Sequence, residues 1–323
     1  MKLRRTLALA AAAALTTVLA ACGGGSDSGP ADGDGPRKVK VGALPILDVA
    51  AMHLGIQEGL FEKEGLDLEV ENAQGGAAII PAVLKGSTPI GFSNVTSLLI
   101  ARSKGLPVQI IAPASASTGE PGKDFAAVVV KDDSSIQGAA DLAGKTVAIN
   151  TLNNISDTVI RETVRKDGGD EKAVKFVEMA FPDMPAALDA GNVDAVFVVE
   201  PFLSITGKAG ARPVAWPYAE AVDGLEVAVF FTSEQTAKSD PELIEKFTRA
   251  MVASQELASS DEAKLRAIPT SYTEIDESLL AGLTFPRFAS SVSEQSGKGL
   301  ADLGRADGLF DDQPDLDALY GKD

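Results

Sequence analysis

Cysteine and histidine supply most nucleophilic, proton-transfer and metal-ligating chemistry, and this chain has one of each, Cys22 and His53. A Ser-His-Asp triad would have to use His53, and neither a cysteine-based nor a histidine-rich metal site has enough ligands. No disulfide can form within the chain. The remaining candidates are short polar side chains in loops: Ser93, Asn94 and Thr96; Asn150, Thr151 and Asn154; and the acidic Asp48, Asp183 and Glu200. Such groups recognise a small molecule by hydrogen bonds and do not attack it. No Lys or Arg accompanies the three carboxylates in their loops. A small anion would therefore depend on helix N-termini, hydroxyls and amides. A solute with an amine or aminopyrimidine donor would suit the carboxylates.

The elements that must position these residues are legible from periodicity. Short apolar runs alternate with helical stretches: Val39–Leu44, then 49–62; Leu66–Val70, then 77–85; Ile90–Phe92, then 95–104; Val108–Ala112. This alternation predicts an α/β fold on mostly parallel sheets. Gly59, Gly65, Gly86 and Gly105 stand where helices should stop or turn. A second series runs from about residue 126: strand Thr146–Ile149, helix 155–167, strand Lys175–Val177, helix 184–190, strand Val193–Val199 and a helix opening at Pro201. The apolar runs Phe125–Val130 and Val227–Phe231 flank it, as strands that leave one lobe and return to it. From Pro241 onward the pattern is helical, with stretches at 241–259, 261–267, 276–282 and 292–304. No internal repeat shows as self-similarity.

In an open α/β sheet the carboxyl ends of the strands face a crevice, which places the candidate residues. Gly75-Gly76 allows backbone to approach a ligand closely. Ser93, Asn94 and Thr96 begin a helix, where a side chain caps the helix, faces the crevice, or does both. Asn150 and Thr151 lie in the loop ahead of the next helix, which favours ligand contact. Asn154 with Asp157 reads as a capping box, and Asp183 ahead of Met184-Pro185 as an N-cap. Glu200 follows a buried strand and precedes Pro201, so it faces the cleft or caps its own helix; Asp48 stands at the equivalent place in the first lobe. His53 lies one turn into the first helix beside Val49, Ile56 and Leu60, the setting of a packed histidine.

The first residues carry a different message. Lys2, Arg4 and Arg5 precede an apolar run from Leu7 to Ala21, too short for a comfortable membrane span, which reads as a secretory signal. Leu19-Ala20-Ala21-Cys22 resembles the lipobox of bacterial lipoproteins, which implies lipidation of Cys22 and a mature chain tethered outside the cell. Loss of residues 1–21 takes the formal net charge from −17 to −20. A surface so acidic repels nucleic acid and anionic head groups. Residues 22–37 read as a flexible linker.

Two α/β lobes, the second inserted in the first and joined by two crossover strands, resemble the type 2 periplasmic-binding-protein fold. The opening Gly42-Ala43-Leu44-Pro45-Ile46-Leu47-Asp48 with Gly59-Leu60-Phe61-Glu62-Lys63-Glu64-Gly65-Leu66-Asp67 is similar to that of nitrate/sulfonate/taurine and thiamine-precursor solute-binding proteins. Further matches are Gln74-Gly75-Gly76, Ser93 to Ser97, Asn150 to Asn154, and Val193-Asp194-Ala195 leading to Glu200-Pro201-Phe202. The resemblance implies lobe 1 at 38–125 and 227–323, lobe 2 at 126–226, and a ligand set that adds Gln74 to the loop residues above. It also implies an ABC-importer component, an expected monomer that captures a small solute and hands it to a membrane permease, with no catalysis, cofactor or metal. The same fold also carries pyrimidine-synthase-like enzymes, and a secreted scaffold is a third class.

Overall fold

The computed structural model describes residues 35–322, and Pro36–Asp323 falls into one compact unit. The first stretch runs β1 (Arg37–Ala43), α1 (Ala50–Gln57), α2 (Leu60–Lys63), β2 (Leu66–Asn72), α3 (Gly76–Leu84), β3 (Ile90–Asn94), α4 (Val95–Ser103) and β4 (Val108–Ala116). The second runs β5 (Ala126–Lys131), β6 (Thr146–Ile149), α5 (Ile155–Lys166), β7 (Lys175–Glu178), α6 (Met184–Asp189), β8 (Ala195–Val199), α7 (Phe202–Lys208), β9 (Ala211–Ala215) and α8 (Pro217–Glu220). The chain then returns as β10 (Glu226–Ser233) and ends in α9 (Glu234–Ser239), α10 (Pro241–Ser260), α11 (Glu262–Ala267), α12 (Glu294–Ala306) and α13 (Leu316–Leu319). The long stretch expected over 49–62 is two helices, because Gly59 takes a left-handed φ of 68° between them.

These strands make two five-stranded sheets, ordered β2-β1-β3-β10-β4 and β7-β6-β8-β5-β9. In each, three strands run parallel and one antiparallel strand, β10 or β5, lies between them and the edge. One pattern thus occurs twice without sequence self-similarity. The two apolar runs expected to cross between lobes each belong to one sheet. The chain changes sheets in the short stretches ahead of them, after β4 and after β9. Strands β5, β8 and β10 are buried along almost their whole length, as central strands covered on both faces must be. Strand β9 is absent from the sequence reading; it lies at the edge beside β5, where the missing N–H of Pro213 is tolerated.

The core is aliphatic with clustered phenylalanines. Phe230 packs edge-on against both Phe92 and Phe247, and Phe247 meets Phe61, which ties β10 to α10 and α2. Phe125 and Phe197 pack on Tyr218, tying α8 to the other sheet. No described helix is long and apolar enough to cross a membrane. Residues 1–34, with the expected signal segment, most of the expected linker and Cys22, lie outside the described residues.

Candidate ligand-binding cleft

Every loop singled out above leaves the carboxyl end of a strand, and the carboxyl ends of the two sheets face each other. Leu47 N donates to the carbonyl of Glu200 at 3.1 Å. On the other side, Ser97 Oγ and the Asn154 amide exchange hydrogen bonds at 2.8 and 3.1 Å, buried, between the first turns of α4 and α5. Between these bridges Gly75 approaches Thr151 so closely that a Cβ on the glycine would lie 2.9 Å from its hydroxyl.

Asp48 comes from the loop after β1 and is 3% exposed. Ser115 Oγ donates to its Oδ1 at 2.6 Å, while Oδ2 has no partner among the described residues. Burial pushes its carboxyl up to about 6, opposed by the Ser115 bond and reinforced by the charge of Asp124. Burial holds the Tyr218 and Tyr272 phenols well above the usual value, helped by the charge of Asp48. The Ser93 and Thr96 hydroxyls are likewise fully buried and unpartnered among the described residues. Ser93 lies directly under the start of α3, where a Cβ on Gly76 would come within 2.4 Å of its Oγ. Gly75, the N-cap of α3, has no side chain to cap the helix, which leaves backbone N–H groups free in that turn.

Other candidates are engaged within the protein. Asn94 caps α4 by accepting from Ser97 N at 2.8 Å. Asn154 caps α5 in a reciprocal box with Asp157, the capping role expected of that pair. Glu200 is 2% exposed and accepts from Ser204 N at 3.1 Å, Ser204 Oγ at 2.8 Å and Thr284 N at 3.3 Å. It caps its own helix, and its raised pKa comes from burial, which those three bonds oppose. Asp183 occupies the N-cap position of α6 without a capping bond and is exposed. Asn150 is half-buried and accepts from Ser156 Oγ, Thr151 faces Gly75, and Gln74 is exposed at the cleft edge. His53 stacks on Tyr272 with ring centres 3.9 Å apart and planes 4° apart, and burial lowers its pKa to about 4, so it is a neutral packing group.

The sequence did not point to Ser115, Ser97, Thr284 or Tyr272 as partners of these loops. Ser115, Thr284 and Tyr272, and Ser97 in its bond to Asn154, are brought in by long-range packing that no local spacing announces.

The family model described as NMT1/THI5 like matches residues 47–263, about two thirds of the chain. The chain belongs to this family. Among curated relatives, the formylaminopyrimidine-binding protein of Halalkalibacterium halodurans is 26% identical over 145 residues, 45% of this chain and 42% of that protein. The taurine-binding periplasmic protein of Escherichia coli is 23% identical over 200 residues, 62% of this chain and 60% of that protein. In both cases the match spans less than two thirds of the relative. Among solved structures, the alkanesulfonate-binding protein SsuA from Xanthomonas axonopodis pv. citri, bound to MOPS, superposes with a TM-score of 0.72 at 19% identity. That superposition covers 88% of this chain and 97% of that one. The NMT1/THI5-like chain therefore has the periplasmic-binding-protein fold expected from its alternating elements.

Proposed function

We propose that this NMT1/THI5-like protein is an extracytoplasmic solute-binding lipoprotein of an ABC importer. It captures a small organic solute, sulfonate- or taurine-like or aminopyrimidine-like, between its two lobes and delivers it to the permease. Cys22 carries the lipid, and the lobes divide at 38–125, 126–226 and 227–323. One observation carries the binding site: Asp48 Oδ2, Ser93 Oγ and Thr96 Oγ1 are buried at the carboxyl ends of sheet strands with no partner among the described residues. An unmet buried polar atom costs about 1–3 kcal/mol, and a solute supplies what the protein does not.

The two kinds of unmet group suit different parts of a solute. Asp48 Oδ2 accepts, and the charge that acts on its carboxylate among the described residues is that of Asp124. Ser93, Thr96 and the uncapped turn of α3 donate. A thermal-shift panel of aliphatic sulfonates, taurine, nitrate, aromatic carboxylates and aminopyrimidines tests the reading. A solute at about 100 times its Kd adds roughly 2.7 kcal/mol. Raising the melting temperature with at least one member, followed by a calorimetric titration at one site per chain, is the expected result. A panel without any shift counts against capture of solutes of this kind.

A further inference from the structure

A cavity of about 420 Å³ lies between the last turn of α5, α8 and the end of β9, and none of the cleft loops lines it. Pro121, Val214 and Ala219 give it apolar walls, while Thr163, Asp167 and Glu220 give it polar ones. Its volume falls within the roughly 300–1,000 Å³ typical of small-molecule sites.

Thr163 is 4% exposed, and its Oγ1 has no partner among the described residues. A threonine hydroxyl inside a helix can bond the carbonyl four residues back, as Thr158 does in this same helix by donating to Asn154 O at 2.9 Å. The Thr163 hydroxyl makes no such bond and is left for a group outside the helix. Two carboxylates share the cavity with it. Asp167 Oδ2 accepts from Ala140 N at 2.8 Å, and Glu220 Oε2 accepts from Trp216 N at 3.2 Å. Burial raises the pKa of Glu220; the Trp216 bond opposes that rise, the charge of Asp167 adds to it, and Lys166 opposes it. Lys166, the one cation lining the cavity among the described residues, already donates to the carbonyls of Glu220 and Ala221 at 2.7 and 2.9 Å. No cluster of three or more His, Cys, Asp or Glu that could hold a metal ion occurs among the described residues, so a bare divalent ion is poorly served here. An ammonium brings three N–H donors, which two carboxylates and a hydroxyl oxygen can accept.

We infer that this cavity is a second small-molecule site, which takes an organic ammonium ion. The apolar body of that ion lies against Pro121, Val214 and Ala219, and its N–H groups reach Glu220, Asp167 and the Thr163 hydroxyl. The site is separate from the cleft and stands or falls without solute capture there.

Calorimetric titration with phenethylamine tests the site, with phenethyl alcohol as the same body without the charge. The amine should bind at a site that survives Asp48→Asn, and the alcohol at least about tenfold more weakly, because a neutral bond replaces charge-assisted ones. Glu220→Gln should weaken the amine about tenfold and leave the alcohol within about twofold. Thr163→Val keeps the side-chain shape without the hydroxyl and should weaken the amine by about threefold or more. Ala219→Leu keeps a good helix former in α8 while filling the cavity, and should abolish binding of both probes. Melts of the unliganded variants show whether each fold is intact; should Glu220→Gln fail to fold, Thr163→Val and Ala219→Leu carry the test. Amine binding that is lost in Asp48→Asn but kept in Glu220→Gln and Ala219→Leu lies in the cleft and overturns the inference. So does an alcohol that binds as tightly as the amine, or an amine that does not bind at all.

Discussion

Asp48 carries an energetic cost in the unliganded protein that a donor on the solute would relieve. Its carboxyl is raised from 3.8 to about 6, so between those values the folded protein holds a proton that the unfolded chain has released. Stability therefore falls as pH rises through this window, by roughly 3 kcal/mol once it is passed. Asp48→Asn should match the parent near pH 4, gain on it as pH rises to about 6, and stay ahead by up to that amount above. If the solute donates to Asp48, the same variant should bind it about tenfold or more weakly, since charge-assisted bonds exceed neutral ones. Urea melts from pH 4 to 8 and calorimetry at pH 7.5 check the two halves; a gain in stability with unchanged affinity would remove Asp48 from the site. Glu200 shares the rise caused by burial but differs in its partners. Three donors converge on its carboxylate, so the amide of Glu200→Gln must turn its NH2 toward one of them. The unliganded protein should lose about 1–3 kcal/mol while solute affinity stays put, as melts and titrations of the pair would show.

At the scale of elements, two helix starts hold the polar side of the cleft. Asn154→Ala removes a cap from α5 and the partner of Ser97 across the cleft, a loss of about 1–3 kcal/mol. Asn94→Ala removes only a cap and should cost about 1 kcal/mol; equal losses from the two would mean that the Ser97 bridge contributes nothing. These caps were legible in the sequence, because a cap is a local matter of one side chain and the next three residues. The strands other than β9 were legible for the same reason, and so was the position of Asp48 and Glu200 at strand ends. What those carboxylates do was not. Asp48 has one oxygen on Ser115, 67 residues away, and the other without a partner among the described residues, whereas Ser204 meets both oxygens of Glu200 and Thr284, 84 residues downstream, adds a third bond. The contact of Tyr272 with Ile46 was equally hidden, since it spans 226 residues. Periodicity reports which face of an element is buried, and says nothing of what meets it.

At the scale of the molecule, two ion pairs among the described residues join the segment 126–226 to the rest of the chain. Arg165 on α5 reaches the half-buried Asp307 at the end of α12, at 2.9 Å. Lys208 on α7 reaches Asp276 at 3.0 Å, with both partners more than half exposed. Exposed pairs contribute little, so Lys208→Ala should leave the unliganded scattering profile unchanged, whereas Arg165→Ala should enlarge its radius of gyration. Solute at saturation should bring both variants to the parent's liganded profile, because a ligand that binds the closed arrangement better draws the population to it. An identical profile with and without solute in every variant would mean that no hinge motion accompanies binding. The strand order has a consequence for how the molecule is made. The sheet of β5 to β9 draws all its strands from residues 126–215, one continuous stretch that can close as soon as it is synthesised. The other sheet needs β10 between β3 and β4. Until Ser233 has left the ribosome, the nascent chain holds β3 and β4 with facing, unfilled edges, the kind of template on which stray strands add. Strands β1 to β4, made before any strand of the other sheet, thus belong to the sheet that is finished last.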